Sequence, residues 1–132
     1  MSKVIISGAA GRMGRSLIGG VQESNEFTLL GAFESEGNEL LGQDVGELAG
    51  IGKSGVLLSA TDKSLIEQAD VMIDFSSPSA SIINAEICAE FGTALVIGTT
   101  GIDSEQEGVL KKWADKVPVS YTHLTLPTTE AV

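Results

Sequence analysis

Short apolar runs alternate along the chain with segments in which apolar residues recur every three or four positions. This alternation is the signature of β-α-β units built around a parallel sheet. The runs Lys3 to Ser7, Phe27 to Phe33, Val56 to Ser59, Val71 to Phe75 and Ala94 to Ile97 predict strands, each bounded by Gly, Asp or Ser. Their near-continuous apolarity predicts burial on both faces. A sixth strand would open near Val117-Pro118-Val119 and be cut off, leaving a sheet edge and part of any ligand crevice uncovered at a cost in stability.

Between the runs, Met13, Leu17, Ile18 and Val21 form one apolar stripe and predict a helix from about Arg12 to Ser24. Ser77 as N-cap, Pro78 in the first turn and Gly92 as terminator delimit a second helix that carries Ile82, Ile83, Ile87 and Phe91. A third is predicted from Ser104 to Lys116, with Glu105 and Glu107 at its start, Lys111, Lys112 and Lys116 at its end, and Val109, Leu110 and Trp113 turned inward. A shorter one covers Asp62 to Ala69. Residues Gly37 to Gly55 are glycine-rich and lack periodicity, which predicts a long surface excursion, a candidate mobile flap. The fold class is therefore α/β, a Rossmann-type doubly wound parallel sheet.

With 132 residues the chain has room for one domain, and 42% hydrophobic residues suffice for a core. A net charge of -10 argues against partners that are themselves polyanions, so neither nucleic acid nor an anionic membrane surface is expected. There is no long apolar segment, a single cysteine and no cluster with metal-ligand spacing. These features predict a cytoplasmic protein without a structural metal or disulfide. Residues 1–119 read as the domain. The remainder, SYTHLTLPTTEAV from Ser120 to Val132, differs in character and reads as a non-native read-through or a natural disordered tail.

The chemistry is concentrated at Gly8-Ala9-Ala10-Gly11-Arg12-Met13-Gly14, directly after the first strand and at the start of the first helix. In that position a glycine-rich turn binds a dinucleotide pyrophosphate: Gly8 permits the tight turn, Gly11 the backbone's approach to phosphate and Gly14 close helix packing, and the helix amides favour the anion. The spacing G-x-x-G-x-x-G is a variant of the commoner one, and such a turn also serves as a plain strand-helix joint. Arg12 and Arg15 place positive charge beside it, although surface arginines are commonly just solvated. Glu34 closes the second strand, where a carboxylate accepts hydrogen bonds from the adenosine ribose or is simply a solvated strand end. Ser35, Glu36 and Glu39 supply no cation for a 2'-phosphate, which favours NADH over NADPH unless Lys53 folds back from the loop. The loops Asp74-Phe75-Ser76-Ser77-Pro78 and Gly98-Thr99-Thr100-Gly101 fall at the carboxyl edge of the sheet and would line one crevice. Asp74 lacks an acidic or histidine partner and reads as a loop organiser; Cys88 and Trp113 read as core, and His123 receives no role.

Taken together, GAAGRMGR (Gly8 to Arg15), GAFESEGNELLGQDVGELAG (Gly31 to Gly50), VMIDFSSP (Val71 to Pro78) and VIGTTG (Val96 to Gly101) resemble the 4-hydroxy-tetrahydrodipicolinate reductase (dihydrodipicolinate reductase) family over residues 2 to 119. The resemblance implies a nicotinamide-dependent oxidoreductase of lysine and diaminopimelate biosynthesis. In it, Gly8, Ala9, Ala10, Gly11, Arg12 and Met13 would hold the pyrophosphate and Glu34 the adenosine ribose. Gly98, Thr99 and Thr100 would take the nicotinamide side, with Phe75 and Ser76 in the same cofactor crevice. Ser35 stands where some members carry Arg, which again favours NADH while leaving dual use with NADPH open. The resemblance also implies a homotetramer built through a second domain whose His-His-Arg-x-Lys signature is missing here, so no catalytic residue is assigned and the chain alone is expected to be inactive. The alternative is a free-standing Rossmann-type nucleotide-binding regulatory module.

Overall fold

The computed structural model describes residues 2–99, 101–114 and 119–121. Six strands, β1 (Ser2–Ser7), β2 (Phe27–Phe33), β3 (Leu58–Ser59), β4 (Val71–Asp74), β5 (Ala94–Ile97) and β6 (Val119–Tyr121), form one sheet. All pairings are parallel, in the order β3-β2-β1-β4-β5-β6. The helices are α1 (Arg12–Glu23), α2 (Val45–Leu48), α3 (Lys63–Gln68), α4 (Pro78–Phe91) and α5 (Ser104–Ala114). This is the doubly wound arrangement anticipated from the alternation. Strand order reverses between β1 and β4, so the loops leaving their carboxyl ends diverge and open a crevice.

Two apolar clusters cover the two faces. Val4, Ile6, Leu29 and Ala32 pack with Ile18 and Val21 of α1 and with Val45 of α2. On the other face Ile5, Phe33, Met72, Leu95 and Ile97 pack with Ile66 of α3, Ala85, Ile87 and Cys88 of α4, and Leu110 of α5. The central strand β1 is accordingly buried on both sides. The same expectation fails for β4 and β5, whose burial alternates: Met72, Asp74, Leu95 and Ile97 are buried, whereas Val71, Ile73, Ala94 and Val96 are half-buried. The described helices α4 and α5 cover one face of these strands, and α1 reaches only the margin of the other. There Val71 and Ile73 line an apolar groove of about 280 Å³ with Leu17, Val21 and Phe27.

Other expectations are corrected in detail. Met13 (46% exposed) and Ile83 (57%) point to solvent, and Val109 (36%) is at the surface, so the apolar stripes of α1, α4 and α5 are narrower than the periodicity suggested. The third strand begins at Leu58, because Val56 and Leu57 serve the preceding excursion: the Val56 carbonyl accepts from Val45 N–H at 2.9 Å and Leu57 bridges Asp44 antiparallel. The excursion itself is anchored and not a free flap, since Asp44, Val45 and Gly46 are buried within it. Strand β6 runs on past Val119, and its Ser120 and Tyr121 pair with Val96 and Ile97. Hence the sixth strand is present, and the expectation of an uncovered edge at β5 is not met. The side chain of Trp113, and His123 with the rest of 122–132, lie outside the described residues.

Candidate functional site

The turn between β1 and α1 is shaped by two glycines that the fold itself requires. Gly8 adopts φ +79, and a Cβ there would overlap the Phe75 carbonyl of the β4 loop. Gly14 seats α1 on the turn, since its Cβ would overlap the Gly8 carbonyl and lie 2.7 Å from Ala9 Cα. Gly11 is different. Its φ of -74 suits any residue, and a Cβ would meet only the Gly8 carbonyl, at 3.4 Å. It is exposed and lines the crevice, so a side chain there would enter the ligand space and not the protein.

Donors in the turn divide into spent and unspent. Gly8 and Ala9 N–H both donate to the Phe33 carbonyl, at 3.0 and 3.1 Å, and Gly11 N–H donates to the Gly8 carbonyl at 3.1 Å. Arg15 N–H already reaches back to Gly11 O, so the amides of Arg12, Met13 and Gly14 in the first turn have no carbonyl within the helix to receive them. No side chain caps α1 and its first turn holds no acid. By contrast Asp44, Asp62 and Ser77 cap α2, α3 and α4, while Asp103 and Gln106 exchange hydrogen bonds at the start of α5. The positive end of α1 is thus open to an anion. Arg12 is exposed beside it, and Arg15 Nε donates to the Ala10 carbonyl at 2.9 Å, bracing the turn.

Glu34 stands at the end of β2 with one carboxylate oxygen accepting from Ala10 N–H at 3.0 Å and the other from Ser35 N–H at 3.2 Å. The carboxylate is held at the glycine turn with lone pairs still available for hydroxyl donors. A crevice of about 300 Å³ joins these parts, lined by Ser7, Gly8, Gly11, Glu34, Ser35, Thr61, Phe75, Ser76, Ser77 and Ala80. Among the residues named from sequence, the structure brings Gly8, Gly11, Glu34, Phe75 and Ser76 onto this surface. Ala9 is buried beneath it at 1% exposure, and Ala10 is committed to Glu34. Gly98 and Thr99 sit behind the β4 loop: the Phe75 ring occupies the space a Cβ on Gly98 would need, and Thr99 Oγ1 donates to the Asp74 carbonyl at 3.3 Å. Thr100 lies outside the described residues. Thr61 was not anticipated; its position just after the edge strand β3 was the available signal. Lys53 does not fold back to Glu34, because it borders Gln22 near the far end of α1. None of the described residues lining the crevice is a cation.

Asp74 is an organiser, as read from sequence. Fully buried, it accepts from Ser76 N–H at 2.9 Å, from the Ser76 hydroxyl and from Asn84 Nδ2 at 3.1 Å. Cys88 is core: burial, with the Asp74 charge adding to it, pushes its thiol up to about 12.

The arrangement fits a dinucleotide: an open helix start for phosphate, a carboxylate for ribose and an uncharged wall beyond. A relative from Chromohalobacter salexigens named 4-hydroxy-tetrahydrodipicolinate reductase is 40% identical over 121 residues, covering 92% of this chain and 45% of that protein. The structure of dipicolinate-bound dihydrodipicolinate reductase from Paenisporosarcina sp. TG-14 superimposes with a TM-score of 0.62 at 23% identity, over 86% of this chain and 43% of that one. The WlbA dehydrogenase from Thermus thermophilus, solved in complex with NAD and alpha-ketoglutarate, shares the fold at a TM-score of 0.64 and 13% identity, over 92% and 40% of the two chains. The chain thus spans less than half the length of these relatives. The family described as dihydrodipicolinate reductase, N-terminus, matches residues 2–123, and the chain belongs to it.

Proposed function

We propose that the chain is the NADH-binding portion of a 4-hydroxy-tetrahydrodipicolinate reductase serving lysine and diaminopimelate biosynthesis. The pyrophosphate would rest on the first turn of α1 between Gly8 and Met13, the adenosine ribose at Glu34, and the nicotinamide side toward Phe75, Ser76, Gly98, Thr99 and Thr100. When bound, the dinucleotide supplies a hydride to the dicarboxylate substrate to give tetrahydrodipicolinate. This chain's residues bind and orient the cofactor, and the longer protein, a cytoplasmic homotetramer in this reading, supplies the substrate groups. Alone, the chain binds cofactor without turnover.

One observation carries the reading: Gly11 faces the crevice where nothing in the fold requires a glycine, in front of the helix start that no side chain caps. NADH is preferred to NADPH because no cation lines the described crevice and Glu34 would oppose a 2'-phosphate. Fluorescence titration should show NADH bound more tightly than NADPH, and Glu34→Ala should weaken NADH about 10-fold, roughly 1.4 kcal/mol, while narrowing that preference. Tighter binding of a mononucleotide or an acyl-CoA than of NADH would overturn the proposal.

A further inference from the structure

The β4 loop brings the Ser76 hydroxyl to the wall of the crevice, and its hydrogen, like that of Thr99 behind it, turns inward. Ser76 sends both of its donors, amide and hydroxyl, inward to the same carboxylate oxygen of Asp74. Thr99 Oγ1 accepts from Ser81 Oγ at 2.8 Å and passes its own hydrogen to the Asp74 main-chain carbonyl, which also receives Gly98 N–H at 2.8 Å. The other Asp74 carboxylate oxygen is held by Asn84, whose Nδ2 also donates to Ser7 Oγ at 3.2 Å. Asp74 is 0% exposed and Asn84 is 2% exposed, so this is an interior network beneath the crevice. No cation among the described residues pairs with Asp74.

We propose that Asp74 is a positioning residue that sets the hydrogen-bond polarity of this wall, so that Ser76 meets a ligand with lone pairs only. A hydrogen-donating group, a ribose hydroxyl or a carboxamide N–H, is accepted there. A phosphate, which needs donors, finds none at Ser76, whereas the first turn of α1 offers them. The buried anion adds to that exclusion, since its field in a poorly solvated interior opposes a second negative charge. The two ends of the crevice then differ in chemical sense, which fixes the direction in which a dinucleotide lies. This inference rests on the dinucleotide reading above and adds the orientation.

Titrations of the whole chain with NADH, ADP-ribose and inorganic pyrophosphate test it. Ser76→Ala should weaken NADH about 3- to 10-fold, the range of one hydrogen bond, and leave pyrophosphate within about twofold; Ser76→Thr should restore NADH. A penalty shared by ADP-ribose marks a ribose hydroxyl as the donor, and one confined to NADH marks the carboxamide. Asp74→Ala, which removes the acceptor and frees both Ser76 donors toward the crevice, should weaken NADH similarly and tighten pyrophosphate. In the Ser76→Ala background it should add less than about twofold to the NADH loss, because the two residues act as one. If Asp74→Ala fails to fold, the Ser76 pair with pyrophosphate decides alone. Equal losses for pyrophosphate and NADH in Ser76→Ala, an unchanged NADH affinity, or losses that multiply in the double variant overturn the proposal. A wild-type chain that does not bind NADH would instead overturn the dinucleotide reading.

Discussion

Gly8 and Gly11 occupy the same turn for unlike reasons. At Gly8 the backbone is left-handed and the Phe75 carbonyl fills the side-chain position, so Gly8→Ala combines backbone strain with overlap and should destabilise the domain by about 2–4 kcal/mol. Gly11→Ala introduces a methyl group into open crevice and should leave stability within about 0.5 kcal/mol while weakening NADH at least 10-fold. Thermal denaturation paired with titration on both variants separates the two roles. The sequence spacing assigned them different roles, the tight turn to Gly8 and the approach to phosphate to Gly11, but the Phe75 carbonyl that fills the side-chain position at Gly8 belongs to the β4 loop, distant in sequence, and was not legible. Arg12 and Arg15 were not separable in this way: both are exposed, yet Arg15 Nε is bound to the Ala10 carbonyl and braces the turn.

Elements with strong local signals were legible. Ser77, Pro78 and Gly92 delimited α4 because a cap, a preset φ and a left-handed terminator act within a few residues. The excursion from 37 to 55 was not legible, since its order depends on a single side chain reaching along the loop. Asp44 accepts from Gly46 N–H at 2.8 Å, from Ser54 N–H at 2.9 and 3.1 Å, from the Ser54 hydroxyl at 2.9 Å and from Gly55 N–H at 2.8 Å. The Ser54 amide above all, then the other donors, hold its carboxyl well below the usual carboxylate range, with burial opposing in part. A carboxyl whose folded value is depressed contributes its full stabilisation above its unfolded value near pH 4, and loses it as pH falls through the folded value. Melting temperatures measured from pH 6 down to pH 3 should therefore fall more steeply in the wild type than in Asp44→Asn, which starts lower. Asp62, held down chiefly by the Ser64 hydroxyl at the start of α3, acts in the same sense.

At the scale of the whole molecule, alternation of strand and helix predicted the sheet and its crevice, while the unequal cover of its faces stayed hidden. Apolar residues at Val71, Ile73, Ala94 and Val96 look the same in sequence whether or not a helix lies over them. Their alternation with Met72, Asp74, Leu95 and Ile97 became apparent only once α4 and α5 were placed on one side. This half-covered face has a colloidal consequence. A charge of -10 keeps copies of the chain apart at low ionic strength, although each carries an apolar groove beside β4. Salt shortens that repulsion to about 10 Å at 0.1 M and leaves apolar attraction intact. Light scattering should therefore find the chain monodisperse in dilute buffer and self-associating as sodium chloride rises, with Ile73→Lys suppressing the effect. Adding salt, the usual remedy for sticky proteins, would make this one stickier.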